Sequence, residues 1–470
     1  MNVASVIPAF HEGLGDKATM WGSAQMNPMA IQNLQKALAA GVGVPPVSGG
    51  PALQVQSLEA TLRVVTFTLQ NIKLWKMLPK LPAFQTAEEY NLLKEYGADN
   101  GAFTNEGELA QLQDSLYERR VAIIKFLSTQ REITHPMLLV RPAHGNVVGL
   151  ESQNGAVWLL ERLERALFFA NSAVVPQEFD GLDAQLFADP DFFPQQVIDM
   201  RGRQPTEDDL EEGANRVVER YGVPTDLFML PRTISAIGRQ FYPRERIPLP
   251  LTTNGIVGLA VQGFESSAGV IRFQPDVFMR PGRRHGTLTP PASATSPFAP
   301  PAPASLAGSV PGGAGSWFTG AAVGAYTYWA TALNRFGESA PTIITAALTY
   351  TAGQFSTITI VSGGGSTTGF RLYRGTVGSV AITTAQLIRE IPIHGIYVDD
   401  NYLLPGHGRG YLVQGNINNM SARLLAPMLK IPLGTIAASI RWLQVMYLTL
   451  VVYSPLKNVV YLNVPDTQTL

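Results

Sequence analysis

The sequence has no cysteine in its 470 residues. That absence excludes disulfides, thiolate catalysis, cysteine-type zinc sites and iron–sulfur clusters. Lysine is missing between Lys125 and Lys430, where arginine carries all the permanent positive charge. No mechanism can therefore draw on a buried lysine in that stretch. Net charge is only −1, which leaves no electrostatic footprint of a dedicated nucleic-acid binder. No apolar run is long enough to cross a bilayer as a helix. The most apolar window, Trp442–Tyr453, has 12 residues, with Arg441 before it and Lys457 soon after. The N-terminus has no basic region and meets Pro8 before any sustained apolar stretch, unlike a signal peptide. A protein made and kept in a cytoplasm is expected. No two of the six histidines (His11, His135, His144, His285, His394 and His407) stand three or four apart, so no helical zinc pair exists. The phosphate-cradling G-x-x-x-x-G-K-[ST] and the hydrolase elbow G-x-S-x-G are also absent.

What is present is a folded chain with a 46% apolar share, too long for one ordinary core, so two or three domains are expected. A chain of this length without cysteine is held by packing, or by association with its own copies. Residues 1–50 are rich in Gly, Ala, Pro and Met and contain one short predicted helix, with Asn27 as cap, Pro28 at its first position and Gly41 at its end. Leu58, Leu62, Val65, Leu69 and Ile72 step by four and three, predicting a second helix that Pro79 and Pro82 stop. It suits a core helix or an arm lying on a neighbouring subunit. Two extended segments, Phe84–Tyr96 and Tyr117–Ile133, flank a Gly- and Asn-containing middle and predict a long projecting hairpin, which needs another surface to lie on. The Leu109, Leu112, Leu116 spacing allows a short helix near its tip. Residues 151–173 predict one amphipathic spine helix, with Val157, Leu160, Leu163, Leu167 and Ala170 inward and Glu161, Arg162, Glu164 and Arg165 largely opposite. Another helix is predicted over 206–221, capped by Thr206, with acidic residues in its first turn and Leu210, Val217 and Tyr221 inward.

Composition shifts at 287–315, a Pro/Ala/Ser/Gly stretch expected to be a linker. Strands follow at 325–333, 342–350, 356–362, 369–374, 385–391 and 395–400, with Gly/Ser turns between them. A second Gly-rich connector, Leu404–Gly410, leads to the C-terminal stretch, so the β module is inserted into another domain. Ser362-Gly-Gly-Gly-Ser-Thr looks phosphate-friendly but opens no helix and is expected to be a hairpin turn. Asp399-Asp400 suits a turn better than a calcium site. Carboxylate pairs for glycoside hydrolysis have no local support. Arg119-Arg120 and Arg283-Arg284-His285 are short and lack interleaved aromatics, so they are poor nucleic-acid patches. Inter-subunit ion pairs suit the first group and a solvated turn the second. The chain closes on an apolar run, Ile440–Tyr453, a Ser-Pro-Leu-Lys turn and the β-formers Asn458–Val464. This closing piece is expected to join the spine-helix domain and the strand near 225–231.

The order of parts resembles the major capsid protein of tailed bacteriophages with the Hong-Kong-97-type fold. It is most similar to the branch in large Twort-like contractile-tailed phages. Ser57–Met77 followed by Leu81–Gly97 looks like the arm leading into the E-loop. Thr206–Pro231 resembles the family's helix and following strand in the A-domain. Tyr326–Pro341, with its Asn-x-x-Gly-Glu-Ser turn, Gly369–Arg374 and Tyr397–Asp400 are similar to strands of immunoglobulin or fibronectin modules. Met428–Val464 resembles the closing segment.

The resemblance implies an α+β fold: an N-terminal arm (1–82), an E-loop hairpin (83–135), a P-domain and A-domain (136–286) with spine helix 151–173, linkers with an inserted immunoglobulin-like sandwich (287–410), and a C-terminal return (411–470). It implies a non-enzymatic shell protein without cofactor or metal. Hexamers and pentamers would form an icosahedral head around double-stranded DNA, with portal, scaffold and cement or decoration proteins as partners and no membrane. The place is the virion, after assembly in the host cytoplasm. Lys94, Tyr96, Arg119, Arg120, Leu62 and Leu69 are the expected inter-subunit contacts. Some relatives crosslink an E-loop lysine, and Lys94 lies on the presumed E-loop. The first 50 residues suit either a folded arm or a segment removed on maturation. An encapsulin-type compartment and a carbohydrate-active enzyme with a fibronectin-like module are the alternatives.

Overall fold

The computed structural model describes residues 68–97, 101–139, 146–244, 262–279, 288–310, 313–434 and 437–465, with side chains of 241–244 excepted. All of them belong to one compact unit. The helix predicted over 27–41, the first part of that over 58–77, and Leu62 and Arg283–His285 lie outside the described residues.

The body comprises helices α1 (Leu74–Met77), α2 (His135–Leu139), α3 (Val147–Phe169), α4 (Leu182–Ala188), α5 (Glu207–Glu219) and α6 (Pro231–Arg244). Its first strands are β1 (Lys80–Pro82), β2 (Ala87–Glu95), β3 (Leu116–Ile123), β4 (Lys125–Thr134), β5 (Val197–Asp199), β6 (Asp226–Met229), β7 (Gly263–Ser266) and β8 (Gly269–Pro275). The inserted module holds β9 (Ser305–Ser309), β10 (Gly324–Tyr326), β11 (Tyr328–Asn334), β12 (Gly337–Glu338), β13 (Thr342–Ile343), β14 (Leu348–Tyr350), β15 (Ser356–Val361), β16 (Gly369–Arg374), β17 (Gln386–Pro392) and β18 (Ile396–Asp399). The chain returns through β19 (Gly408–Val413), β20 (Met420–Pro432), β21 (Ser439–Val452) and β22 (Val459–Val464). This is the α+β class expected from the sequence.

The C-terminal strands are the centre of the body. The β21 strand lies inside the four-stranded sheet β1-β20-β21-β4, and β22 lies inside the six-stranded sheet β5-β22-β19-β6-β8-β7. The 226–229 strand pairs with β19, so β22 reaches it one strand away. Period-2 alternation divides the six-stranded sheet between two cores. Phe228, Tyr411, Val460 and Leu462 face one core with Leu163, Leu167 and Phe168 of α3 and Met446, Leu448 and Leu450 of β21. Leu227, Met229, Leu412, Val459 and Tyr461 face the other with Leu210, Ala214 and Val217 of α5. Gly155 lets α3 lie close on β21: a Cβ there would sit 2.0 Å from the Gln444 Oε1, while the Gln444 amide donates to the Ser152 carbonyl at 2.7 Å.

Several expectations are corrected. The stripe through Leu69 and Ile72 is not one helix in its described part: a single 3-10 turn, Leu69–Asn71, gives way to extended Ile72 before α1 begins. The cause is Glu164, which accepts the backbone N–H of Lys73 at 2.7 Å, Leu74 at 2.6 Å and Trp75 at 3.0 Å and so starts a new turn. Glu164 and Glu161 therefore do not line the solvent face of the spine helix; both are buried. The run Tyr117–Ile133 is two strands, not one: β3 pairs with β2, whereas β4 pairs with β21. The break falls at buried Ile124, whose N–H reaches the Thr86 carbonyl at 2.8 Å. The projecting hairpin is thus shorter than 83–135. No helix forms among the described residues 101–115 near its tip. Tyr221 points outward, 92% exposed, with left-handed φ of 60°, because the helix already ends at Glu219.

The described part of the Pro-rich 287–315 stretch is not a free tether. Leu288 is buried, its carbonyl accepts from Leu387 N at 3.0 Å, and Ala304 N donates to the Val361 carbonyl at 2.9 Å ahead of β9. Proline suits this edge placement because its fixed φ is extended and no N–H is left unpaired. The module itself is all β. Sheet β12-β11-β16-β17, with β13 on β11, and sheet β18-β15-β9 enclose Tyr328, Ala330, Phe370, Leu372, Ile358 and Ile360.

Candidate assembly surface

The β2–β3 hairpin has two chemically different faces. Tyr90 pairs with Arg120 and Leu92 with Glu118 on the inner face; Glu89 pairs with Val121, Asn91 with Arg119 and Leu93 with Tyr117 on the outer. The inner face is pinned to the body. Glu88 meets Arg423 at 3.4 Å, Tyr90 sets its ring edge-on to Tyr453 with centroids 5.3 Å apart, and Arg120 approaches Asp189 of the segment after α4 at 3.7 Å. Burial pushes the Tyr90 phenol above its usual pKa. Glu118 takes Arg120 at 2.9 Å and Lys94 at 2.7 Å, and those hydrogen bonds hold its carboxyl down to about 2.

The outer face and tip have a different character. Leu93, Tyr117, Val121 and Ile123 are exposed along the strands, and Phe103, Leu109 and Leu112 are 94–100% exposed beyond them. Isolated exposed apolar residues are ordinary, but this many on one projecting element suit contact with another protein, with Glu89, Asn91 and Arg119 interspersed among them. Of the predicted contact residues, Lys94, Tyr96, Arg119 and Arg120 share this hairpin. Tyr96 and Arg119 face outward, while Arg120 points to the body. Arg119 meets Glu89 at 3.4 Å within the chain. Leu69 is elsewhere, exposed in the 3-10 turn.

Other candidate chemistry resolves into structure. Among the described residues no cluster of His, Asp and Glu is arranged to hold a metal. Asp399 is buried and paired with Arg374 at 2.7 Å, and accepts from the Tyr328 hydroxyl at 2.7 Å. The Ser362 turn joins β15 to β16 but is not the expected hairpin turn, because the two strands belong to different sheets and the connection crosses between them. His407 is pushed below its usual pKa by burial. Among the described residues no helix is long and apolar enough to cross a membrane.

Sequence reasoning missed one buried carboxyl pair, because its members lie on separate elements. Glu164 and Asp276 are both buried, and Asp276 also accepts from Phe278 N at 2.7 Å. Glu164 already receives three backbone N–H groups, and burial still raises its carboxyl above the ordinary pKa. Burial first, then the Glu164 charge, push the Asp276 carboxyl up to about 8.

The described elements run in the order projecting hairpin, spine helix, sheet domain, all-β insertion and C-terminal return. The chain is similar in sequence to phage major capsid proteins. It is 25% identical over 256 residues to the putative major capsid protein of Enterococcus phage phiEF24C, covering 52% of this chain and 53% of that one. It is 23% identical over 264 residues to the major capsid protein of Staphylococcus phage K, covering 53% and 54%. The chain thus spans about half the length of the curated relatives it matches. No protein-family model matches it. Among solved structures, that of Mycobacterium phage Adephagia aligns with a TM-score of 0.44 at 9% identity, covering 89% of this chain and 97% of the other.

Proposed function

We propose that this chain is a phage major capsid protein that self-assembles as hexamers and pentamers into an icosahedral head shell around packaged double-stranded DNA. The observation that carries this reading is the sequence similarity to major capsid proteins over half the chain. The pinned hairpin with exposed apolar residues on its outer face and tip supports it, because closed rings of identical subunits need heterologous contacts that a compact body lacks. In this reading the division into arm, E-loop, P- and A-domains, immunoglobulin-like insertion and C-terminal return holds. Lys94, Tyr96, Arg119, Leu62 and Leu69 touch neighbouring subunits, while Arg120 holds the hairpin to its own body. The role is structural rather than enzymatic and needs no cofactor. Portal, scaffold and cement or decoration proteins are its partners. Assembly takes place in the host cytoplasm and the finished protein resides in the virion. The near-neutral charge suits a wall that encloses DNA without gripping it. Electron microscopy of the purified full chain tests the proposal. Large icosahedral particles are the expected result; a uniform small monomer would overturn it, and closed shells loaded with protein instead of nucleic acid would favour a compartment.

A further inference from the structure

Four described residues other than glycine have positive φ: Arg201 at 48°, Tyr221 at 60°, Asn401 at 61° and Asn463 at 54°. Three of these meet at one place, where the inserted module joins the body. Asn463 lies in β22 of the body, Arg201 follows β5 of the body, and Asn401 follows β18, the last strand of the module. Asparagine tolerates this backbone region, whereas an arginine adopts it only where its surroundings over-determine it.

The surroundings do so here. The Asn463 amide donates to Asp199 Oδ1 at 2.6 Å and to the Tyr402 carbonyl at 2.8 Å, and its oxygen accepts Leu404 N at 2.8 Å. One body side chain therefore grips the strap leaving the module at two points. Arg201 donates to the Asn401 carbonyl at 2.8 Å and pairs with Asp199 at 3.0 Å. Its guanidinium lies 3.8 Å from the centre of the Trp317 ring and 5.6 Å from that of Tyr402. Asn401 turns back into the module, donating to the Trp317 carbonyl at 3.1 Å and accepting from Arg374, the buried partner of Asp399. A second contact lies apart from these residues. Val174 and Val175 of the body pack on Leu333 of the module, and a Cβ on Gly369 would sit 2.6 Å from the Val174 side chain.

We propose that Arg201, Asn401 and Asn463 form a locked joint that fixes the direction of the inserted module on the body. The Pro/Gly-rich strands of chain at the two junctions do not act as swivels. Whatever neighbour the module meets, it meets it at a set place, and force on the module passes straight into the six-stranded sheet.

The absence of cysteine makes the test clean. Val380→Cys, 73% exposed on the module, and Val223→Cys, 53% exposed on the body, place two spin labels as the sole thiols of the full chain. The labelled chain is diluted into unlabelled protein so that only distances within one copy are read. The expected result is one narrow distance distribution, broadening at least about twofold in Arg201→Ala/Asn463→Ala. Asn463→Gly keeps the left-handed backbone without the grip and should broaden it by less. If the double variant does not fold, Arg201→Lys keeps the charge without the planar stack and is read in its place. A broad distribution in the parent, or an unchanged width in the folded variants, overturns the joint.

Discussion

At the scale of single residues, the buried proton on Asp276 has the clearest consequence. Its pKa is raised to about 8 by burial and by Glu164, so folding takes up a proton between the ordinary carboxylate range and that value. The stability tied to this proton is complete below the unfolded pKa and is lost as pH rises through about 8. Above it, two carboxylates face each other beneath the residues that start α1, with Lys73 as the nearby cation that eases the charge on Asp276. Asp276→Asn replaces the acid by an amide that donates to Glu164 and does not titrate. The melting temperature of the parent should fall as pH rises from roughly 5 to 8 and level off above that, and that of Asp276→Asn should stay nearly level over the same range. Equal slopes in the two proteins would dissociate the pair from stability.

At the scale of elements, the hairpin separates folding from assembly. Val121 and Ile123 are exposed in the chain, so Val121→Asp with Ile123→Asp should change the stability of the unassembled protein by only about 0.5 kcal/mol per site. The same charges on a face meant for a neighbour should abolish particles, as seen by sedimentation. Particles of normal yield would show that this face is not an interface. Elements are also where the sequence was most and least legible. The spine helix, α5 and most strands of the insertion followed from local periodicity and caps, which need no distant partner. What escaped depended on remote groups. The carboxylate of Glu164 cut the expected arm helix short from 89 to 91 residues away. The split at Ile124 follows from a pairing with β21 more than 300 residues on. The Pro-rich stretch looked like a tether because its partners are backbone groups, which leave no trace in composition. The hairpin was legible as an element, but the inward turn of Arg120 was not, since Arg119 and Arg120 look alike until the register is known.

At the scale of the whole molecule, the order of synthesis and the order of the sheets run against each other. The most C-terminal strands described, β21 and β22, are interior strands of the two body sheets, and Gln185 reaches the β21 backbone with its side chain at 2.8 and 2.9 Å. A chain ending at Ala438 lacks both strands and should show no cooperative melting of the body, because the core around Leu163, Phe168 and Phe228 loses Met446, Leu448, Leu450, Val460 and Leu462 together. A sharp melt of the body in that fragment would mean that the core closes without them. Interior strands that arrive last also act as a timing device. A polypeptide still threaded through the ribosome has no finished body from which to offer its hairpin. If the chain builds a shell as proposed, copies still being made would thereby be kept from seeding it.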